Sequence, residues 1–150
     1  MKDTIKRFFK AVVATSAPYS VGLIRLMVGA VFLSEGIQKF LYPDSLGVGR
    51  FITIGIPFPE ILAPFVGVFE ITCGFLMIPG IVTRLVSVPL IIIMIVAIFT
   101  TKIPILINNG FWEMAHAART DFSMLLGSLY ILIVGAGGLS VDKVISCKIK

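Results

Sequence analysis

The sequence predicts an all-α integral membrane protein, a four-transmembrane-helix bundle preceded by an N-terminal amphipathic interfacial helix. Of its 150 residues, 57% are hydrophobic and only 14% are charged, whereas soluble domains carry about a quarter charged residues. The apolar residues also fall in four long runs, each near the roughly 20 residues that cross a bilayer as a helix. Residues 1–150 are expected to form a single membrane domain, because the chain is too short for two domains of ordinary size.

The N-terminal residues predict a helix over about residues 2–15 that lies on the membrane surface. Its apolar face comprises Ile5, Phe8, Phe9, Val12 and Val13, and its polar face comprises Lys2, Lys6 and Lys10. This separation of faces is typical of an interfacial helix. A cleaved signal peptide is less well supported, because Lys10 interrupts the apolar stretch and Pro18 follows the would-be cleavage site.

The four predicted spans cover about residues 18–40, 59–78, 85–100 and 122–141. The third is the shortest, and Pro89 within it is expected to kink the helix. Long connections over residues 41–58 and 101–121 alternate with a tight one over residues 79–83, so both termini lie on the same side.

The distribution of basic residues predicts the orientation in the membrane. The side that holds the termini carries Lys2, Lys6, Arg7, Lys10, Arg84, Lys143, Lys148 and Lys150, and the other side carries Lys39, Arg50, Lys102 and Arg119. By the positive-inside rule, both termini are expected to be cytoplasmic.

Ionisable side chains at membrane depth are the candidate functional residues. A charge in the middle of a span costs about 2.5 to 3.5 kcal/mol on insertion scales, so it is expected to face a partner or a cavity. The predicted intramembrane polar site consists of Arg25, Glu35, Lys39, Glu70, Arg84 and Asp121. Two interpretations remain open: ion pairs that only fix the helix register, and a site for a ligand, a quinone or proton transfer.

Helical spacing places these charges on faces that turn toward the bundle. Gly22, Gly29 and Gly36 repeat every seven residues beside Arg25, and small residues at such intervals let another helix approach closely. Similar stripes in the later spans are Ala63, Gly67, Glu70 and Gly74, then Ser87, Met94 and Thr101, and finally Asp121, Ser128 and Gly135. A polar thread through one four-helix bundle accounts for all four stripes.

Two ion pairs are expected from these positions. Glu35 and Lys39 are spaced i, i+4 in the favourable order near the outer end of the first span. Arg25 lies near the inner end of that span and Glu70 lies near the middle of the second. A buried Arg25–Glu70 pair is therefore predicted.

Composition argues against several classes of activity. Basic residues cluster at the chain ends without interleaved aromatic residues, so nucleic-acid binding is not expected. His116, expected in the second outer loop, cannot form a two-histidine haem site alone, and Cys73 and Cys147 cannot hold an iron–sulfur cluster. A dinucleotide-binding glycine motif is absent, since the glycines of residues 135–138 predict a helix stop. No metal site and no stand-alone catalysis are expected.

Five stretches resemble the DoxX family of small four-helix membrane proteins. They are residues 25–39 (RLMVGAVFLSEGIQK), 55–59 (GIPFP), 70–74, 79–84 (PGIVTR) and, after the glycine stop, 139–142 (LSVD). The resemblance implies a bacterial or archaeal inner-membrane protein associated with quinone-linked oxidoreductase systems. Many members carry His-Gly where this chain has Glu35-Gly36, which changes the outer polar cluster.

Three functions remain open at this point. The first is an accessory membrane subunit of a quinone-linked oxidoreductase, which binds quinone or docks a partner subunit that carries the cofactor. The second is a structural or assembly protein, and the third is a small transporter with a polar path at Glu70. In all three the lipid bilayer is a partner, and homo-oligomerisation remains open.

Overall fold

The computed structural model describes residues 2–148, which form helices joined by turns and irregular segments and contain no strand. The helices are α1 (Lys2–Val13), α2 (Val21–Leu41), α3 (Val48–Thr53), α4 (Pro59–Met77), α5 (Thr83–Ala97), α6 (Ile103–Asn109), α7 (Phe111–Val134) and α8 (Val141–Lys148). A π-helical segment, Ile98–Lys102, joins α5 to α6, so that one helical segment covers Thr83–Asn109.

Within residues 2–148, four helical segments are long and apolar enough to cross a membrane: α2, α4, Thr83–Asn109 and α7. They form a ring in which α2 and α5 each contact α4 and α7. The prediction of an all-α membrane bundle is confirmed. We call the end formed by residues 14–20, 78–82 and 135–140 the terminal face, and the end formed by α3, α6 and Gly110 the opposite face.

The structure differs from the sequence prediction at residues 101–121, which were expected to form a long connection. Helix α6 occupies Ile103–Asn109 and α7 begins at Phe111, so the turn is reduced to Gly110, whose φ is +87°. His116 consequently lies within α7 rather than in a loop. The hydrophobic pattern missed this extension because it marks the apolar part of a helix, and these helices continue through polar residues.

The last membrane helix ends earlier than predicted, at Val134 instead of near residue 141. Gly135 has a φ of +90°, a backbone conformation that side-chain-bearing residues rarely adopt. The predicted helix stop at residues 135–138 is therefore confirmed. Residues 141–148 form a separate short helix, α8, and α1 packs against both α5 and α8.

The apolar face predicted for α1 can be followed only in part. The backbone is helical over Lys2–Val13, and Val13 is fully buried while Phe9 is exposed. The side chains of residues 2, 3, 5, 6 and 8 lie outside the described part of the structure, as do residues 1, 149 and 150.

Glycines set the close approach of α2 to α4. A Cβ on Gly29 would lie 2.9 Å from the carbonyl oxygen of Gly74, and one on Gly36 would lie 2.8 Å from that of Gly67. The two helices are antiparallel, so these matched pairs fix their register. This confirms the prediction that the glycine stripe of the first span lets another helix approach, and it identifies that helix as α4.

Replacing Gly36 by alanine is expected to destabilise the bundle by about 1 to 3 kcal/mol, because the new methyl group would overlap the α4 backbone. Gly22→Ala is the matched control on the same stripe, since its Cβ would meet nothing nearer than Arg25 Nη2 at 3.7 Å. Unfolding free energies in detergent would test this pair. Equal stability of the two variants would contradict the assigned α2–α4 contact.

An apolar layer closes the middle of the bundle. Eight buried side chains form it: Val28, Phe32, Cys73, Met77, Val86, Leu90, Met124 and Ile131. Apart from the buried hydroxyls of Ser87 and Ser128, which lie among these residues, the layer separates the polar side chains near the terminal face from those near the opposite face.

Candidate intramembrane ligand site

A cavity of about 520 Å³ lies inside the bundle, between the apolar layer and α3. Its volume is within the range of about 300 to 1,000 Å³ that is common for small-molecule sites. The walls are mostly apolar and come from α2, α3, α4, α5, the π-helical segment and α7. The polar side chains that reach it are Glu35, Lys39, Arg50, Glu70, Thr100, Thr101, Thr120 and Asp121. Such a cavity suits an amphipathic ligand.

A buried ion pair between α2 and α4 forms part of the cavity wall. Lys39 Nζ lies 2.6 Å from Glu70 Oε2, and the two side chains are only 12% and 3% exposed. Removing two charges from water is costly, and their close contact offsets that cost only while both partners are present. The pair is therefore strongly coupled, and either charge alone would be unfavourable there.

The predicted Arg25–Glu70 pair is wrong, and helix geometry explains why. The glycine register places Glu70 opposite residue 33 of α2, about 12 Å along the axis from Arg25 and about 9 Å from Lys39. Side chains lean toward the N-terminus of their helix. Since α2 and α4 are antiparallel, Lys39 and Glu70 lean toward each other, while Arg25 leans away toward the terminal face.

The expected Glu35–Lys39 pair is also not formed. Lys39 pairs with Glu70 instead, and Glu35 is an exposed residue that lines the cavity. Within residues 2–148, Glu35 has no ion-pair partner. Lys39 thus forms its ion pair with a buried carboxylate on a neighbouring helix, and not with Glu35 as local spacing predicted.

A second ion pair joins the π-helical segment to α7. Lys102 Nζ lies 2.8 Å from Asp121 Oδ2. Asp121 was expected at the end of the long connection, directly before the fourth span, but it lies within α7, ten residues after its first residue. Next to Lys102, the Thr101 hydroxyl donates a hydrogen bond to the Ala97 carbonyl at 2.6 Å. Single π-helical turns inside α-helices often occur at functional sites.

A recess on the opposite face adjoins the cavity. It has a volume of about 600 Å³ and is lined by Asp44, Ser45, Arg50, Thr53, Ile54, Thr100, Thr101 and Pro104. Four of these residues, Arg50, Ile54, Thr100 and Thr101, also line the cavity. The cavity therefore lies next to a more polar and open region at this end of the bundle.

Arg25 belongs to a separate polar cluster near the terminal face. Its Nη2 donates a hydrogen bond to the Leu139 carbonyl, and the guanidinium interacts electrostatically with Asp142. Its Nε and Nη1 have no hydrogen-bond partner among residues 2–148. Arg25 thus links α2 to the segment between α7 and α8.

Asp142 caps the N-terminus of α5 from across the bundle. Its carboxylate accepts hydrogen bonds from the Val82 amide at 2.7 Å, and from the Thr83 amide and hydroxyl, each at 2.9 Å. The first amides of a helix lack partners within the helix, and negative charge is favourable there. Val82 has a φ of +44°, which turns the chain sharply into α5.

Arg84 completes this cluster. It donates hydrogen bonds to the Ala11 carbonyl at 3.0 Å and to the Ile133 carbonyl at 3.1 Å. It therefore ties α1 and α7 to α5, and its contacts are structural.

The six residues of the predicted polar site accordingly divide into two groups. Glu35, Lys39, Glu70 and Asp121 line the cavity, whereas Arg25 and Arg84 lie in the terminal cluster. Sequence reasoning missed three charged residues, Arg50, Lys102 and Asp142. Only Asp142 carried a signal, because it lies in one of the stretches that resemble DoxX.

The chain is thus a membrane protein with four long apolar helices, and the cavity inside its bundle has mostly apolar walls with a few charged side chains. The chain belongs to the DoxX family, whose sequence profile matches residues 20–103. This confirms the resemblance seen in the sequence.

Two relatives extend this assignment. The chain is 54% identical over 135 residues to the uncharacterized membrane protein Rv3486 of Mycobacterium tuberculosis, an alignment that covers 86% of this chain and 83% of the relative. It is also 29% identical over 122 residues to a Bacillus subtilis protein named "Putative oxidoreductase CatD", and this alignment covers 80% of this chain and 82% of the relative. No solved structure matches the chain significantly.

Proposed function

We propose that this chain is an accessory membrane subunit of a quinone-linked oxidoreductase system and that its cavity binds the quinone. The observation that carries the proposal is the Lys39–Glu70 pair in the wall of a 520 Å³ apolar cavity at membrane depth. A quinone matches such a site, because its ring and tail are apolar while its carbonyl oxygens accept hydrogen bonds. The Lys39 ammonium can donate to one of these oxygens.

The electrons would be exchanged with a partner subunit that carries a redox cofactor. The name of the Bacillus subtilis relative supports an association with oxidoreductases. In this proposal the chain holds the quinone and docks the partner, and it has no catalytic activity alone.

A transport path is less well supported by the structure. It would need polar groups that continue from Glu70 to the terminal face. Phe32, Met77 and Leu90 of the apolar layer fill the bundle there, and each is at most 1% exposed.

We place the protein in the cytoplasmic membrane of a bacterium or archaeon, with both termini in the cytoplasm. Most basic residues lie on the side of the membrane that holds the termini, and the positive-inside rule assigns the more basic side to the cytoplasm. In this orientation α1 lies along the inner leaflet, and the recess beside α3 opens on the outer side of the membrane.

The proposal predicts that quinone copurifies with the wild-type protein and is lost from Glu70→Gln. The amide carries no negative charge, so the Lys39 ammonium would lose its counter-ion and the polar wall that orients the ring would be disrupted. Lipid extracts of the two purified proteins would be compared by mass spectrometry. Glu60→Gln is the matched control, since Glu60 lies on the same helix but outside the cavity. Absence of quinone from the wild type, or its retention in Glu70→Gln, would contradict the proposal.

A further inference from the structure

The cavity reaches the lipid-facing surface of the bundle between α4 and α5. Phe65, Ile92 and Val96 line the cavity, yet they are 55%, 55% and 46% exposed. Side chains that are both cavity-lining and exposed mark an edge where the interior and the surface meet. This edge of the cavity is apolar.

The way α4 and α5 are connected accounts for this edge. The two helices are joined by the short turn over residues 78–82, and close to it their buried residues Met77 and Val86 belong to the apolar layer. Farther from the turn, Leu62 and Phe65 of α4 and Ile92 and Val96 of α5 line the cavity instead. The gap therefore lies in the half of the bundle that contains the Lys39–Glu70 pair.

The cavity has a second edge, between α2 and α7, with different chemistry. There the lining residues include Glu35, Thr120 and Asp121, two of them carboxylates. Nearer the terminal face this edge is closed, because Gly127 packs against Val28. A hydrocarbon chain would leave these carboxylates without water, so it is disfavoured on this side.

From these two edges we infer that an isoprenoid tail leaves the cavity between α4 and α5, along Phe65, Ile92 and Val96. The inference rests on the proposed function and adds the direction in which the quinone lies. Its ring faces the ion pair, and its tail passes through the apolar gap into the lipid. Ligand exchange then occurs laterally, from the hydrocarbon of the bilayer.

Val96→Trp is expected to narrow the gap and to weaken binding of tailed menaquinone by about tenfold, because the indole would take the place of the tail's apolar contacts. Menadione, the same ring without a tail, should bind within about twofold of the wild type. Ile95→Trp is the matched control: Ile95 is 41% exposed and does not line the cavity. Affinities would be measured in nanodiscs, with thermal unfolding as a check on folding. Ile92→Trp provides a second variant of the gap.

The binding measurements test the proposed function and the exit route of the tail separately. If the wild type binds neither quinone, the proposed function fails and this inference fails with it. If the wild type binds both and neither Val96→Trp nor Ile92→Trp affects menaquinone more than Ile95→Trp does, only the α4–α5 exit is wrong. Selective loss of menaquinone in Thr120→Trp would place the tail between α2 and α7 and would also overturn the inference.

Discussion

Replacing Lys39 by methionine is expected to destabilise the bundle by about 3 to 5 kcal/mol, because it leaves a buried carboxylate without its partner. Glu70 is the more deeply buried member of the pair, with a side chain that is 3% exposed. Methionine keeps the length of the lysine stem, so the loss reflects the charge more than the packing. The free energy of unfolding in mild detergent would measure it.

Two further variants test whether the loss of stability comes from the broken ion pair or from the loss of the lysine side chain itself. Lys39→Met combined with Glu70→Met should recover most of the lost stability, since replacing both charges by apolar groups is often neutral. Lys102→Met should cost clearly less than Lys39→Met, because its partner Asp121 is less deeply buried than Glu70, with a side chain that is 24% exposed. A double variant as unstable as the sum of the two single variants would show that the charges do not act as a pair.

Replacing Asp142 by alanine is expected to destabilise the protein by about 3 kcal/mol or more. The Val82 and Thr83 amides would lose their shared acceptor, and each buried donor left without a partner costs about 1 to 3 kcal/mol. The loss of stability should be largest near the cap, so hydrogen exchange should become faster in peptides that span residues 79–86 and 139–146. Unfolding free energies would give the global effect.

The conservative variant Asp142→Asn tests the capping role separately. It retains one oxygen acceptor but loses the negative charge, so its loss of stability should fall between those of the wild type and Asp142→Ala. Asp44→Ala, at an exposed position, should change stability by less than about 0.5 kcal/mol. Unchanged hydrogen exchange at residues 82 and 83 in Asp142→Ala would contradict the assigned cap.

Much of the fold could be predicted from the sequence because the bilayer imposes a length and a polarity on each helix. Runs of apolar residues located the four membrane segments, and heptad glycines located the face of α2 that meets α4. The helix ends were harder to predict. Gly110 and Gly135 terminate helices by their backbone conformation, and only the stop at Gly135 was recognised from its neighbouring glycines.

The ion pairs could not be predicted reliably, because they depend on the axial register of two helices. Hydrophobic spacing gives the face on which Arg25, Lys39 or Glu70 lies, but not its height relative to residues of another helix. The glycine contacts fix that height. Because each side chain leans toward the N-terminus of its helix, Lys39 then reaches Glu70 and Arg25 does not. The capping role of Asp142 depends in the same way on a contact between segments 59 residues apart.

Photolabelling with an azidoquinone would show whether a quinone ring binds beside the Lys39–Glu70 pair. The purified protein in nanodiscs would be irradiated with the probe, and labelled peptides would be mapped by mass spectrometry. We expect labels within residues 62–70 and 92–101, suppressed by excess unlabelled quinone. The proposed quinone site would be contradicted by labels confined to residues 79–84 and 137–142 around Arg25, or by labels that excess quinone does not reduce.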